Sequence, residues 1–491
     1  MKDCIVQNID FFIMTTRWIF LIALGYYIIT NLQWYHYKIS RVIFKHHKQK
    51  WHLLYFVLPI ICFIFLPHDI YFYLLIYFYL IFFGYWIFNL SNKLIFTGRV
   101  LRFFGLYIIF ILFNELLLLS IAKPSILIQI VYLFPLPISL ALSLVIEKIL
   151  LNRYKKVAQD KLESMHNLII IVITGSYGKT SLKNFLFQVL QESFKVYATP
   201  RSVNTLTGII ADINQNLSPL NDVYIVEAGA RGLGDIQEII DLVAPQIVVV
   251  GKIGAAHIEY FKNIETIYKA KYEILESRRL QRVYIYKDNI QPTICLVPIV
   301  NFPQNISNIE ATLNGTDFDL EIQGEKLHLS TPVLGAFNAI NISAVIAISK
   351  DLGMKNESII KQISKLEPIN HRLSKIVVND KVILDDSYNG NLDGMLEAIR
   401  LASLHNGRKV IVTPGLVESN KEFNVALAKA INSVFSVAII TGELNSKILQ
   451  ENISNPLKVI LKDKSNIEGI LKSITKPGDL ILFANDAPSY I

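Results

Sequence analysis

Thr174-Gly175-Ser176-Tyr177-Gly178-Lys179-Thr180-Ser181 gathers the residue types that handle phosphate. Glycines let the backbone turn so that several N–H groups face one anion. A lysine meets the β- and γ-phosphates, and a threonine hydroxyl suits Mg²⁺. Two residues separate the glycines, where the commonest phosphate loop has four. An unbroken apolar run, Leu168–Thr174, precedes the turn, and Leu182–Phe194 after it reads as an amphipathic helix. Buried strand, glycine turn and helix are the context such a loop needs. The plainer alternative is a strand–turn–helix with an incidental Gly-Lys-Thr. The expectation is nucleoside triphosphate binding, with Gly175, Ser176, Gly178, Lys179, Thr180 and Ser181 around the phosphates.

Three further stretches carry chemistry. Val223-Tyr-Ile-Val-Glu227 reads as a buried strand ending in a carboxylate, and a carboxylate at a strand's carboxyl end beside a phosphate loop suits Mg²⁺. Strands often end in Glu, so alone this says little. Gln246–Val250 leads into a loop bearing His257, a possible metal ligand that could equally be exposed. Helix 264–279 presents Lys269, Lys271 and Glu273, which on pattern alone read as an ordinary solvated face.

The elements behind these residues alternate. Strands at Leu168–Thr174, Lys195–Ala198, Val223–Val226, Gln246–Val250 and Arg282–Tyr286 are separated by helices at 182–194, 205–215, 235–242 and 264–279, a parallel α/β pattern. Short alternating runs from about 292 to 333, around Asn314-Gly315, predict a small antiparallel insert, and helix 338–351 returns to the α/β layer. A second α/β unit begins near His371. Its first two strands, Lys375–Val378 and Lys381–Leu384, flank the hairpin signal Asn379-Asp380; helices and strands then alternate to Phe483.

The first 150 residues differ. The 491-residue chain has a mean hydropathy of +0.40 and is 52% hydrophobic, and the excess sits before residue 150. Five spans are expected, about Trp18–Tyr35, Leu53–Leu66, Ile70–Leu90, Phe103–Ala122 and Ile126–Glu147. Lys38, Arg41, Lys45, Lys48 and Lys50 follow the first. Lys93, Arg99 and Arg102 follow the third, and Lys148, Arg153, Lys155 and Lys156 the fifth. The other turns carry Lys123 alone. The basic segments therefore belong in the cytoplasm, with the N-terminus outside and the long C-terminal part inside, against the weak contrary vote of Arg17. A signal peptide at 1–30 would place the first basic segment outside and is rejected. The net charge of +8 is accounted for by these loops, whose partner is anionic membrane lipid, with no nucleic acid implied. Cys4, Cys62 and Cys295 make no metal, redox or disulfide framework. Asn114 and Glu115 stand out within the fourth span, a functional candidate or a hydrogen bond to a tyrosine or Gln129.

Taken together, the α/β motifs resemble the Mur ligase family, the ATP-dependent amide ligases of bacterial cell-wall synthesis. The carrying residues are Thr174–Ser181, Thr199-Pro200-x-Ser202-x-Asn204-Thr205, Glu227-Ala-Gly229-Ala230, Ala256-His257-Ile-Glu259, Ala270-Lys271-x-Glu273-Ile274, Gly335-x-x-Asn338-x-x-Asn341-x-x-Ala344, Arg372 and Asp385-Asp386-Ser387-Tyr388-Asn389. The Glu-Ala-Gly-Ala and Ser-Tyr-Asn motifs look most like the MurF branch, which adds D-alanyl-D-alanine to UDP-N-acetylmuramoyl-tripeptide. Hydropathy sets the transmembrane region at 1–150 and charge a linker at 151–167, while the resemblance implies a P-loop central ATP-binding domain at 168–370 and a Rossmann-like C-terminal domain at 371–491. It implies ATP and two Mg²⁺ sites, with Thr180 and Glu227 serving one, His257 the other, and Lys271 as a carbamylated metal ligand. Lys179, Lys271, His257 and Arg372 would carry catalysis. Asn338 would contact adenine, while Arg372, Asp386, Tyr388 and Asn389 would close over the nucleotide.

The implied chemistry is γ-phosphoryl transfer to a carboxylate, then amine attack on the acyl phosphate. The implied place is the cytoplasmic membrane, with the catalytic domains in the cytoplasm. There are departures. Phe337 stands where the family has His, Leu392 where it has Pro, and apolar segments occupy the place of the UDP-sugar-binding domain. A lipid-linked muropeptide or a polyglutamate-type chain is therefore the alternative acceptor. An ATP-driven transporter would need a Leu-Ser-Gly-Gly-type signature and a paired Asp-Glu after a later strand, and the sequence has neither.

Overall fold

The computed structural model describes residues 2–35, 37–44, 48–67, 69–90, 92–118, 125–255, 261–322, 324–388, 390–417, 419, 421–442, 444–461 and 466–485. It has a helical unit, Met1–Arg153, and an α/β unit, Tyr154–Ser489.

Within the helical unit and its last helix, four stretches among the described residues are long and apolar enough to cross a bilayer: Phe11–Trp34, Tyr71–Phe88, Gly98–Leu118 and Ile126–Ser164. Five were expected, and the second expected span is a shorter apolar helix, Gln49–Phe65. Proline explains its form. Pro59 has no N–H to give the Tyr55 carbonyl, so the preceding turn, Leu53–Val57, is a π-helix in which Leu58 N–H reaches Leu53. The Tyr79 hydroxyl donates to the freed Tyr55 carbonyl at 3.0 Å. The helix ends where Leu66, extended ahead of Pro67, cannot continue it.

Glu115 is buried, and the expected tyrosine, Tyr132, is a hydrogen-bond partner of its carboxylate, with two further partners from the first helix. Arg17 lies 3.5 Å away and Trp18 Nε1 donates to it at 3.3 Å. The Arg17 guanidinium also stacks on Tyr132, 4.0 Å from the ring centre. Helices Lys2–Trp34 and Gly98–Leu118 meet closely at Gly25, where a side chain would collide with the Tyr107 ring.

In the α/β unit, β1 (Ile169–Thr174), β2 (Val196–Ala198), β3 (Val223–Glu227), β4 (Ile247–Val250), β5 (Arg282–Tyr286) and β6 (Ile299–Phe302) form a parallel sheet in the order β2-β3-β1-β4-β5-β6. β7 (Ile306–Thr312), β8 (Gly315–Ile322) and β9 (Glu325–Thr331) make the expected antiparallel insert. The second sheet contains β10 (Ser374–Val378), β11 (Lys381–Asp386), β12 (Lys409–Thr413), β13 (Val437–Thr441), β14 (Leu457–Leu461) and β15 (Leu480–Ala484). Its order is β10-β11-β15-β12-β13-β14, with β10 antiparallel to β11. Asn379 and Asp380 both take positive φ, 51° and 58°, which fits a two-residue turn of type I′. Ile171, Ile173, Ile225 and Val249 are fully buried beneath helices Lys179–Leu190 and Ala336–Asp351, so the sheet that carries the glycine turn sits on a dry core.

Candidate active site

Strand order fixes where the chemistry gathers. From β1 the chain moves outward to β2 and returns to β3, then crosses β1 to reach β4, so the sheet's topological switch lies between β1 and β3. Register places Glu227 opposite Ile173, beside the glycine turn that follows Thr174. The turn needs its glycines. Gly175 has φ 145° with the Gly251 backbone 3.1 Å from a would-be Cβ, and Gly178 has φ 77° at the start of helix Lys179–Leu190. Ser176 and Tyr177 donate N–H to the Lys252 carbonyl, and the Ser176 hydroxyl donates to Gly254.

On the first turn of that helix, Thr180 Oγ1 donates to Glu227, 3.2 and 3.1 Å from its two oxygens. Lys179 Nζ donates to the carbonyls of Gly175 and Ser176 at 2.9 and 3.3 Å. Burial pushes its pKa down; Glu227 opposes the shift and Arg372 adds to it. The hydroxyl and the carboxylate form a hard-oxygen pair, the donor set Mg²⁺ accepts when substrate phosphates complete its shell.

A cleft of about 750 Å³ opens in front, between the first sheet and segment 369–423 of the second layer. Lys179, Lys183, Arg201 and Arg372 line it together with Glu227. Arg372 is displaced below its usual range by burial, with Asp386 the leading opposing charge, and its Nη1 donates to the Tyr388 carbonyl at 2.5 Å. Asp386 itself is buried at the end of β11. The Arg201 guanidinium, from the loop after β2, lies 4.5 Å from the centre of the Tyr388 ring. Lys252 and Asp393 join the two layers by an ion pair of 2.5 Å. His371 and Leu373, on either side of Arg372, both have positive φ, 64° and 55°, a rare conformation for such residues.

Lys271 is 3% exposed, contrary to the solvated face its neighbours suggest. Burial, then the positive charge of Lys179, pushes its pKa down to about 7, while Asp235, Glu273 and Glu227 oppose the shift. Glu273 accepts N–H from Gly234 and Gln237 at 2.6 and 3.0 Å, capping helix Asp235–Val243. Asn338 is buried. Its amide donates to the Leu334 carbonyl and its oxygen accepts from Asn341, whose side chain backs Gly178. Ser181 and Tyr388 line the cleft. His257 and Asn389 lie outside the described residues.

Two contributors escaped sequence reading. Lys183, three residues after Thr180, pairs with Glu227 at 3.4 Å, and Thr199 Oγ1 accepts the Glu227 N–H at 3.1 Å. Thr199 belonged to a quoted motif. For Lys183 the available signal was helical spacing, which sets it one turn beyond Thr180.

Residues 173–349 match the Mur ligase middle domain. The chain is 28% identical over 329 residues to the UDP-N-acetylmuramoyl-tripeptide–D-alanyl-D-alanine ligase of Buchnera aphidicola from Acyrthosiphon pisum, covering 60% of this chain and 71% of that one. It is 27% identical over 267 residues to the ligase of the same name from Escherichia coli K12, covering 52% and 59%. In fold it resembles MurF from Acinetobacter baumannii, with a TM-score of 0.60 at 20% identity over 69% of this chain and 77% of that one. It also resembles the MurF ligase of Thermotoga maritima crystallised with ADP, at 0.60 and 21% over 68% and 80%. The likeness to the Mur ligases is thus carried by residues 173–349, just over a third of the chain.

Proposed function

We propose that this chain is an ATP-dependent, ADP-forming amide ligase of peptidoglycan precursor synthesis. In this reading it is of the MurF type, joining D-alanyl-D-alanine to UDP-N-acetylmuramoyl-tripeptide. The carrying observation is the Thr180–Glu227 pair beside the glycine turn, faced across one cleft by Lys179, Lys183, Arg201 and Arg372. Phosphoryl transfer needs cations around spreading negative charge more than it needs a covalent catalyst. Lys179 and Arg372 neutralise the phosphates and the developing acyl phosphate, and closure of the second layer about segment 371–373 would exclude water from it.

Thr180 and Glu227 would hold one Mg²⁺, which would supply positive charge for the phosphoryl group in transfer. Lys271 suits carbamylation, because an amine near pKa 7 is partly uncharged at neutral pH and only the free base attacks CO₂. As a carbamate it would serve a second Mg²⁺ together with His257. Residues 168–370 would act as the P-loop ATP-binding domain and 371–491 as a Rossmann-like closing domain, with 151–167 as the link and 1–150 as a membrane region. We infer that Gln49–Phe65 also crosses, because the three basic segments then share the cytoplasmic side. Asn338 would turn to adenine, and Gly175, Ser176, Gly178, Ser181, Asp386, Tyr388 and Asn389 would surround the nucleotide.

The test is phosphate release by the detergent-solubilised chain with ATP and Mg²⁺. Release is expected only when UDP-N-acetylmuramoyl-tripeptide and D-alanyl-D-alanine are both present. Product formed with a lipid-linked muropeptide and not with the soluble acceptor would move the assignment to that substrate.

A further inference from the structure

We propose that Lys183 is a built-in counter-ion for Glu227, so that the magnesium site is completed by the nucleotide and does not stand ready without it. The inference rests on the ligase reading and adds a residue to it. Lys183 follows Thr180 by three positions on helix Lys179–Leu190, which sets both side chains over the end of β3. The Lys183 and Glu227 side chains are 3% and 6% exposed. Lys183 Nζ donates to the Thr199 and Pro200 carbonyls at 2.7 and 3.3 Å and forms an ion pair with Glu227 Oε2 at 3.4 Å.

A buried carboxylate demands a counter-charge, and leaving it alone is strongly unfavourable. In many metal sites the cation itself meets that demand. Here an ammonium meets it first. A hydrated divalent ion would find a carboxylate already neutralised and a like charge next to it, so it gains little. Triphosphate oxygens change the balance by adding negative charge on the open side, where Lys179 and Arg372 line the cleft. Magnesium then enters with the nucleotide, as an ion that prefers one or two protein carboxylates plus phosphate. A strut for the Thr199–Pro200 turn would need the same contacts, but it would leave metal affinity unchanged.

The experiment is Mn²⁺ binding to the full chain in detergent, read by electron paramagnetic resonance with and without ADP. Wild type is expected to hold Mn²⁺ at least about tenfold more tightly with ADP than without. Lys183→Met removes the charge at similar length and is expected to tighten ADP-free binding by about tenfold. Lys183→Arg should keep the wild-type dependence on ADP. Lys183→Gln, which keeps a donor for the Thr199 carbonyl, replaces the methionine variant if that one does not fold. Wild type binding Mn²⁺ equally well with and without ADP overturns the proposal with no variant needed. A folded Lys183→Met or Lys183→Gln chain with wild-type ADP-free affinity overturns it as well. Absence of Mn²⁺ binding even with ADP would instead remove Thr180 and Glu227 as a metal site, and the ligase reading of them with it.

Discussion

Lys179 donates to the carbonyls of Gly175 and Ser176, so the free loop is held by the side chain that the phosphates must take over. Lys179→Ala should lower kcat by about a thousandfold or more, because its charge acts where the transferring group becomes most negative. Steady-state phosphate release checks this. Lys271→Ala should be crippled and partly restored by added acetate, and full activity without acetate would remove the carbamate. The amine's value of about 7 also sets a pH window. Carbamate labelled from ¹³C-bicarbonate should grow as pH rises through about 7, and a signal flat across about pH 6 to 8 would contradict it. The sign for stability follows. The folded value lies below the ordinary ~10.4, so the unfolded chain binds more protons from about pH 7 to 10. Stability relative to Lys271→Met therefore rises across that window. Lys271 was legible as a motif residue, but not as a buried one. A run of charges along a helix does not say which of them turns inward.

The strand–turn–helix around Gly178 was legible because every local signal agreed. The apolar run, the glycines and the amphipathic period all demand the same elements. Helix Lys179–Leu190 starts earlier than the apolar period indicated and ends sooner. Its first turn is made by Lys179, Thr180 and Ser181, polar residues that carry no apolar period. Gly178→Ala should cost about 1–2 kcal/mol from its positive φ, and the new methyl would press on Asn341. Thermal unfolding and fluorescent-nucleotide binding should both weaken. Between the two layers, Lys252–Asp393 is half exposed and worth at most about 1 kcal/mol. Lys252→Ala should raise KM for ATP a few-fold and leave kcat nearly unchanged; a fall in kcat alone would show that this pair does not aid closure. These long-range pairs had no sequence signal. They exist because two layers meet.

At the scale of the whole molecule, composition separated the apolar part from the α/β part, and the alternation of strands and helices foretold both sheets. The count of long apolar helices was less legible, because hydropathy cannot see where Pro59 and Pro67 shorten one. The Arg17–Glu115 pair also had no signal, as its members come from helices far apart in sequence. Arg17→Leu or Glu115→Gln alone should destabilise the helical unit by about 3–5 kcal/mol, and the double apolar replacement by much less. Unfolding in detergent decides between pairing and mere coexistence. The expected connector at 151–167 is helical as far as Ser164: one helix runs Pro135–Ser164, and Lys161 donates to the Ile213 carbonyl. Proteases cut chain that can be drawn out straight, and a helix must first unwind. Trypsin, offered Arg153, Lys155, Lys156 and Lys161 in succession, should therefore pass over this stretch in brief digests. Rapid cutting at these residues would mean the helix does not persist in solution.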